Sequence, residues 1–193
     1  AVRFAAQLGF AIEERTEQAI RDMCGNLEKI SAERIQVELV KLVTSDHPEE
    51  MQNVYDTGIA AVILPEFCTM METEQHNPHH IYTVGEHTIR SMQYIRADKV
   101  LRLTMLLHDV GKPATKTTDE YGIDHFYNHY KVGADMSKEI LKRLKFDNKT
   151  IQIVCQLISH HDIRFKDPKT NGRRHVRKVM HSIGPTLFPY LLK

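Results

Sequence analysis

Apolar residues recur every three or four positions along nearly the whole chain, the period of a helix with one buried face. Ala19, Ile20, Met23 and Leu27 predict a helix over 16–29 behind Thr16 as N-cap. Ile35, Val37, Leu39, Val40 and Val43 predict the next, with Ser31 as N-cap. Ser45-Asp46-His47-Pro48 breaks that pattern, a short helix over about 49–56 closes at Gly58, and the apolar run 59–64 reads as a helical turn. Residues 66–82 change character, being polar from Met70 to Tyr82 with a turn at Asn77-Pro78, and the chain is divided there. Further helices are predicted over about 83–96, 98–109, 129–145, 148–160 and 173–183, with Gly184-Pro185 ending the last. Lys112 to His125 is the one long connection. No internal repeat and no strand alternation of any length interrupts this, so the fold class is all-α.

Composition narrows the function classes. The chain has 193 residues, enough to bury a core, and a net charge of +1, which excludes a polybasic nucleic-acid binder as a whole but not a local basic face. Cys24, Cys68 and Cys155 form no CxxC pair and are expected as free thiols of a reducing, cytoplasmic compartment. No apolar run approaches the roughly 20 residues that span a bilayer, so no membrane partner is expected. The chain opens at Ala1 within a helical pattern and stops at Lys193 in what reads as a new helix, so a fragment of a longer protein is expected.

Twelve histidines change the picture, because they crowd into the second half. In LLHDVGKP, an apolar helix through Leu101, Leu103, Met105, Leu106 and Leu107 delivers His108 and Asp109 at its end, and Gly111 and Pro113 stop it. Adjacent helical residues point about 100° apart, so the pair meets one ion only near the helix end, and further ligands must come from other helices. His87 lies within VGEHTIRSM, His129 starts HYKVGADMSKEIL, and His160 and His161 close IQIVCQLISHH. Imidazole and carboxylate suit a divalent ion such as magnesium, manganese, nickel or iron, and the lack of a thiolate argues against a closed structural zinc site. Lys112, Arg164 and Lys166 are placed to neutralise a phosphate, and Arg173, Arg174 and Arg177 extend a basic run. His47, His76, His79, His175 and His181 are read as ordinary structural histidines, while His80 and His125 stay open.

Residues 78–162 resemble the HD domain of bacterial tRNA nucleotidyltransferases, the CCA-adding enzymes and related poly(A) polymerases. NPHHIYTVGEHT, LLHDVGKP, HFYNHYKVGADMSKEILKRL and LISHHD carry the likeness. The first 67 residues resemble the neck of the same family through AVRFAAQLGFAIEERT, ISAERIQVEL and GIAAVILPEF, with Glu33 and Arg34 matching a neck motif that supports the nucleotide pocket. The resemblance implies a helical neck over 1–67 followed by an HD-domain helical bundle over 68–193. In the family the neck follows a nucleotidyltransferase head with a glycine-serine motif and paired aspartates. This sequence contains neither, so the chain as given is not expected to add a nucleotide. His87, His108 and Asp109 match the first three positions of the HD pattern, and His129, His160 and His161 match extra positions of members with two metals. The family's last aspartate is expected a few residues beyond LFPYLLK, and Asp162 is read as a neighbour.

Three functions follow as expectations. In the first, the chain belongs to a protein of tRNA 3′-end processing and carries a metal-dependent site that hydrolyses phosphomonoesters or 2′,3′-cyclic phosphates, with Asp109 and Lys112 as catalytic groups and tRNA as partner of the parent protein. In the second, the HD fold is a silent scaffold that holds the tRNA backbone. In the third, it is a stand-alone HD nucleotidase or phosphodiesterase.

Overall fold

The computed structural model describes residues 1–76, 81–162 and 173–192, except the side chains of Arg173 and His175. Helices dominate, in agreement with the all-α reading. The first half runs α1 (Val2–Leu8), α2 (Glu14–Met23), α3 (Ala32–Val43), α4 (Met51–Asp56), α5 (Ile59–Ile63) and α6 (Pro65–Met71). The second runs α7 (Val84–Tyr94), α8 (Lys99–Leu107), α9 (Lys112–Thr115), α10 (His129–Arg143), α11 (Asn148–Ile158), α12 (Arg173–Ile183) and α13 (Phe188–Leu191).

Several boundaries differ from expectation for local reasons. The N-cap of α2 is Glu13 and not Thr16: the Glu13 backbone is extended and its carboxylate accepts from the Thr16 amide at 3.1 Å. The helix expected through residue 29 gives way at Met23 to a 3₁₀ segment, Cys24–Lys29, where Gly25 and Asn26 weaken the α-helix. Ser31 occupies the N-cap position of α3 but its side chain makes no capping bond. Gly58 takes the left-handed backbone, φ 77°, that turns the chain from α4 into α5. The long connection holds structure the sequence reading lacked: α9, then an antiparallel hairpin of β1 (Lys116–Thr118) and β2 (Asp124–Phe126), with Thr117 opposite His125. Three residues per strand are too few to display an alternating pattern.

One hydrophobic core runs through both halves. Phe67 and Met70 of α6 and Met51 of α4 join Met92 of α7, Leu103 and Leu106 of α8 and Ile140 of α10 in a single buried cluster. Packing is therefore continuous across residues 67 and 68. Two polar ties reinforce the junction. Arg102 is buried, and donates from Nε to the Ile95 carbonyl at 3.0 Å and from Nη1 to the Val43 carbonyl at 2.9 Å. It thus satisfies carbonyls that the ends of α7 and α3 leave without helical partners. Arg143 of α10 reaches Glu66 of α6 through two bonds of 2.8 and 2.7 Å. The three cysteines are free. Among the described residues no helix is long and apolar enough to cross a membrane.

Candidate metal centre

Four helices converge on Asp109. Asp98 caps α8, accepting from the amides of Val100 and Leu101, and Leu101, Leu103, Leu106 and Leu107 bury the helix. His108 is the C-cap and Asp109 follows it, 1% exposed. A capping box starts α7: Thr83 Oγ1 accepts from the Glu86 amide at 3.1 Å, and Glu86 Oε2 accepts from the Thr83 amide at 2.9 Å. His87 lies one residue further on. Asn128, in left-handed conformation at φ 61°, turns the chain from β2 into α10 and makes His129 its first residue. His161 follows α11. Gly111 and Gly133 let α10 approach the turn after Asp109, because a Cβ at Gly111 would overlap the His129 carbonyl oxygen and the Gly133 amide nitrogen.

The result is a carboxylate ringed by imidazoles. Asp109 Oδ2 lies 3.1 Å from His108 Nε2 and 3.8 Å from His87 Nε2. Its Oδ1 lies 3.5 Å from His129 Nε2 and 3.6 Å from His161 Nε2. Two sets, His87 with His108 and Asp109, and Asp109 with His129 and His161, each hold their ligand atoms within 4.8 Å of one another. They share Asp109.

Tautomers follow from the partners. His108 Nδ1 sits 2.7 Å from the Met105 carbonyl, His129 Nδ1 2.8 Å from that of Phe126, and His161 Nδ1 2.7 Å from that of Ile158. A carbonyl oxygen only accepts, so each Nδ1 carries the hydrogen and each neutral ring turns an Nε2 lone pair toward Asp109. His129 Nε2 and His161 Nε2 stand 3.2 Å apart, a contact that two lone pairs oppose unless a proton or a cation joins them. Asp109 Oδ2 is buried without a hydrogen-bond partner, and its contact with Lys112 Nζ at 2.8 Å is an ion pair. Inward-facing lone pairs plus an orphaned carboxylate oxygen fit a divalent cation of borderline or hard character.

Charges are tuned accordingly. Burial pushes the Asp109 carboxyl up, but His108, His161 and Lys112 outweigh it and hold it well below the usual carboxylate range. Burial also opposes charge on His108, and the adjacent Asp109 outweighs it, so that ring is raised: with no cation at the cluster, a proton on its Nε2 takes the place of the lone pair and faces Asp109. At His129 burial wins over the Phe126 carbonyl and Asp109, and the ring is lowered.

Not every expected residue joins the cluster. His160 turns away: its Nδ1 meets the Gln156 carbonyl at 2.9 Å and its Nε2 meets Ser182 Oγ of α12 at 2.9 Å. It neighbours His161, and the change of direction from one residue to the next carries its ring away from Asp109 and toward α12. Lys112 is buried, bonded to Gln75 Oε1 at 2.9 Å, so its ammonium braces Asp109 from within. Arg174 and Arg177 are exposed on α12, Arg173 begins that helix, and Arg164 and Lys166 lie outside the described residues, as do His79 and His80. Gln75 and the hairpin residues Asp124, Phe126 and Tyr127 were not anticipated. Gln75 gave no signal, whereas Asp119-Glu120-Tyr121-Gly122 before Ile123 is a readable turn. A cavity of about 620 Å³ opens over the cluster, with Lys112, Tyr127 and Asp162 among its walls.

These features define a class, and sequence comparison agrees with it: the HD domain family matches residues 79–181. A second family, described as a probable RNA and SrmB-binding site of polymerase A, matches residues 9–71. The chain therefore belongs to the tRNA nucleotidyltransferase and poly(A) polymerase family, in the part that joins the RNA-binding region to an HD domain. It is 32% identical to the A-adding tRNA nucleotidyltransferase of Deinococcus radiodurans, over 92% of this chain and 44% of that protein. It is 31% identical to the CC-adding tRNA nucleotidyltransferase of Thermus thermophilus, over 90% and 42%. It is 30% identical to the multifunctional CCA protein of Actinobacillus pleuropneumoniae, over 82% and 41%. The chain spans less than half the length of these curated relatives.

Proposed function

We propose that this chain serves tRNA 3′-end processing in the cytoplasm, with residues 1–67 as an RNA-contacting neck and residues 68–193 as a metal-dependent phosphohydrolase domain for phosphomonoesters or 2′,3′-cyclic phosphates. One observation carries the reading: three imidazoles, each locked by a backbone carbonyl, aim Nε2 lone pairs at one buried carboxylate. His87, His108, Asp109, His129 and His161 would hold the metal; His160 is left out by its contact with Ser182. A divalent ion there supplies Lewis acidity toward a phosphate and makes water nucleophilic near neutral pH. Asp109 stays ionised under Lys112, which keeps it able to bind a cation. Lys112 also lines the cavity, so its ammonium offsets charge that develops on a phosphate. His129, kept neutral, retains its lone pair.

Elemental analysis and hydrolysis assays on wild type and on the double variant His108→Ala, Asp109→Ala test this. Retained manganese, nickel or iron with metal-dependent hydrolysis, both lost in the variant, is the expected result. Hydrolysis that survives metal stripping defeats it. A second reading, a silent scaffold holding the tRNA backbone, draws on Arg174, Arg177 and Lys178, all exposed on α12. It requires tRNA binding that is indifferent to metal and falls steeply with salt.

A further inference from the structure

Beside the histidine cluster the same cavity has an aromatic wall. His125 and Tyr127 are two residues apart where β2 runs out, so their side chains share one face. Their rings lie 10° from parallel with centroids 5.3 Å apart, an offset stack. The stack is built from the turn upward. Asp119 Oδ1 accepts from the amides of Tyr121 and Ile123, each at 2.9 Å, which fixes the carboxylate. Its Oδ2 then meets His125 Nε2 at 2.8 Å and holds the imidazole in place. Tyr127 lies on that ring yet remains 70% exposed.

A large ring left in water at a cavity mouth gives up burial energy that a ligand can recover. Its position limits which ligand. Tyr127 is two residues from His129, so their Cα atoms are at most about 7 Å apart. Asn128 between them is held in a left-handed turn, so the separation is part of the fold. Tyr127 and the cluster line the same cavity, so one small ligand with a flat ring and a phosphate can meet both. The cavity, about 620 Å³, lies within the range of about 300–1,000 Å³ that takes a small ligand.

We propose that the His125–Tyr127 pair is a stacking platform for a nucleobase, so that this site takes a nucleoside monophosphate in preference to a phosphate ester without a base. The proposal rests on the reading of the cluster as a phosphate site. The platform selects for a π-face and not for a hydrogen-bond pattern, so it tolerates any base. Tyr127 is a specificity residue and not a catalytic one.

The test is calorimetric titration, with manganese present, of two non-hydrolysable phosphonates: the analogue of adenosine monophosphate and that of ribose 5-phosphate. Wild type is expected to bind the base-bearing analogue at least about fivefold more tightly, the lower end of what one stacked base contributes. Tyr127→Ala abolishes that preference and Tyr127→Phe keeps it. Because Tyr127 is exposed, neither change disturbs the core. Equal affinity for the two analogues in wild type, or a preference that survives Tyr127→Ala, overturns the platform. Asp109→Asn separates the two readings. Equal binding of both analogues that is lost in Asp109→Asn keeps the phosphate site and rejects the platform. A Tyr127-dependent preference with affinities unchanged by Asp109→Asn keeps the platform and rejects the phosphate site. No binding of either analogue rejects both.

Discussion

At Gly111 a methyl group has no room, since it would meet backbone of both His129 and Gly133. The constraint is a close approach of two backbones and not a left-handed turn; φ there is −81°. Gly111→Ala is expected to cost about 1–3 kcal/mol of stability as α10 is pushed outward. It should also weaken metal binding by roughly 10–100-fold, because His129 moves with its helix. Gly133→Ala, whose Cβ would find its nearest neighbour at 3.3 Å, should cost less on both counts. Urea unfolding and manganese titration of the two variants check the order. At this scale the His108–Asp109 pair was legible, because an apolar helix stopping at Gly-Lys-Pro announces what it delivers. The choice between His160 and His161 was not. Neighbouring helical residues diverge by about 100°, and only packing against α12 shows which of them faces Asp109.

The hairpin shows what an element owes to contacts outside itself. Two strands of three residues are not stable alone. Asp124, 1% exposed, seats them: it accepts from Thr118 Oγ1 at 2.7 Å and from the His76 amide at 2.8 Å, and pairs with Lys116 Nζ at 2.8 Å. Burial pushes this carboxyl up, but Lys116, Thr118 and His76 outweigh it and hold it well below its ordinary value. A depressed carboxyl contributes stability that is present above its unfolded pKa, about 3.9, and lost as pH falls through the folded value. Asp124→Asn should therefore lower stability by about 1–3 kcal/mol at pH 7, with the gap to wild type closing below about pH 4. Thermal melts across that range check it. The sequence reading took this stretch as loop, since Lys116-Thr117-Thr118 has no apolar face and the partner group at His76 lies 48 residues away. The helices were legible because their signal is local: capping residues, periodic apolar positions and stop signals all lie within one segment.

For the whole molecule, a metal ion at the proposed site would be linked to the fold. The candidate ligands come from α7, the turn after α8, α10 and the turn after α11, so an ion bound there holds four helices together. Manganese at about 100 times its Kd should add about 2.7 kcal/mol. In a chain of this size that raises the melting temperature by roughly 5–10 °C. The His108→Ala, Asp109→Ala double variant should show no shift. Differential scanning calorimetry with and without manganese reads both, and an equal shift in the two proteins would place the binding elsewhere. Arg102 belongs to the same scale. It ties α8 to the end of α3 across 59 residues of chain, and the core beside it is shared by both halves.

The sequence by itself determined that the chain is helical, where most helices start and stop, and that histidines and an aspartate of the types that can hold a metal ion sit near the ends of several helices. Each of those rests on residue types at short spacing. Only the tertiary structure decided which histidines face Asp109, that Gln75 and Lys112 brace it, and that a small hairpin builds an aromatic wall beside it. Those depend on the angle at which one helix meets another and on contacts made across long stretches of chain. No local pattern records either.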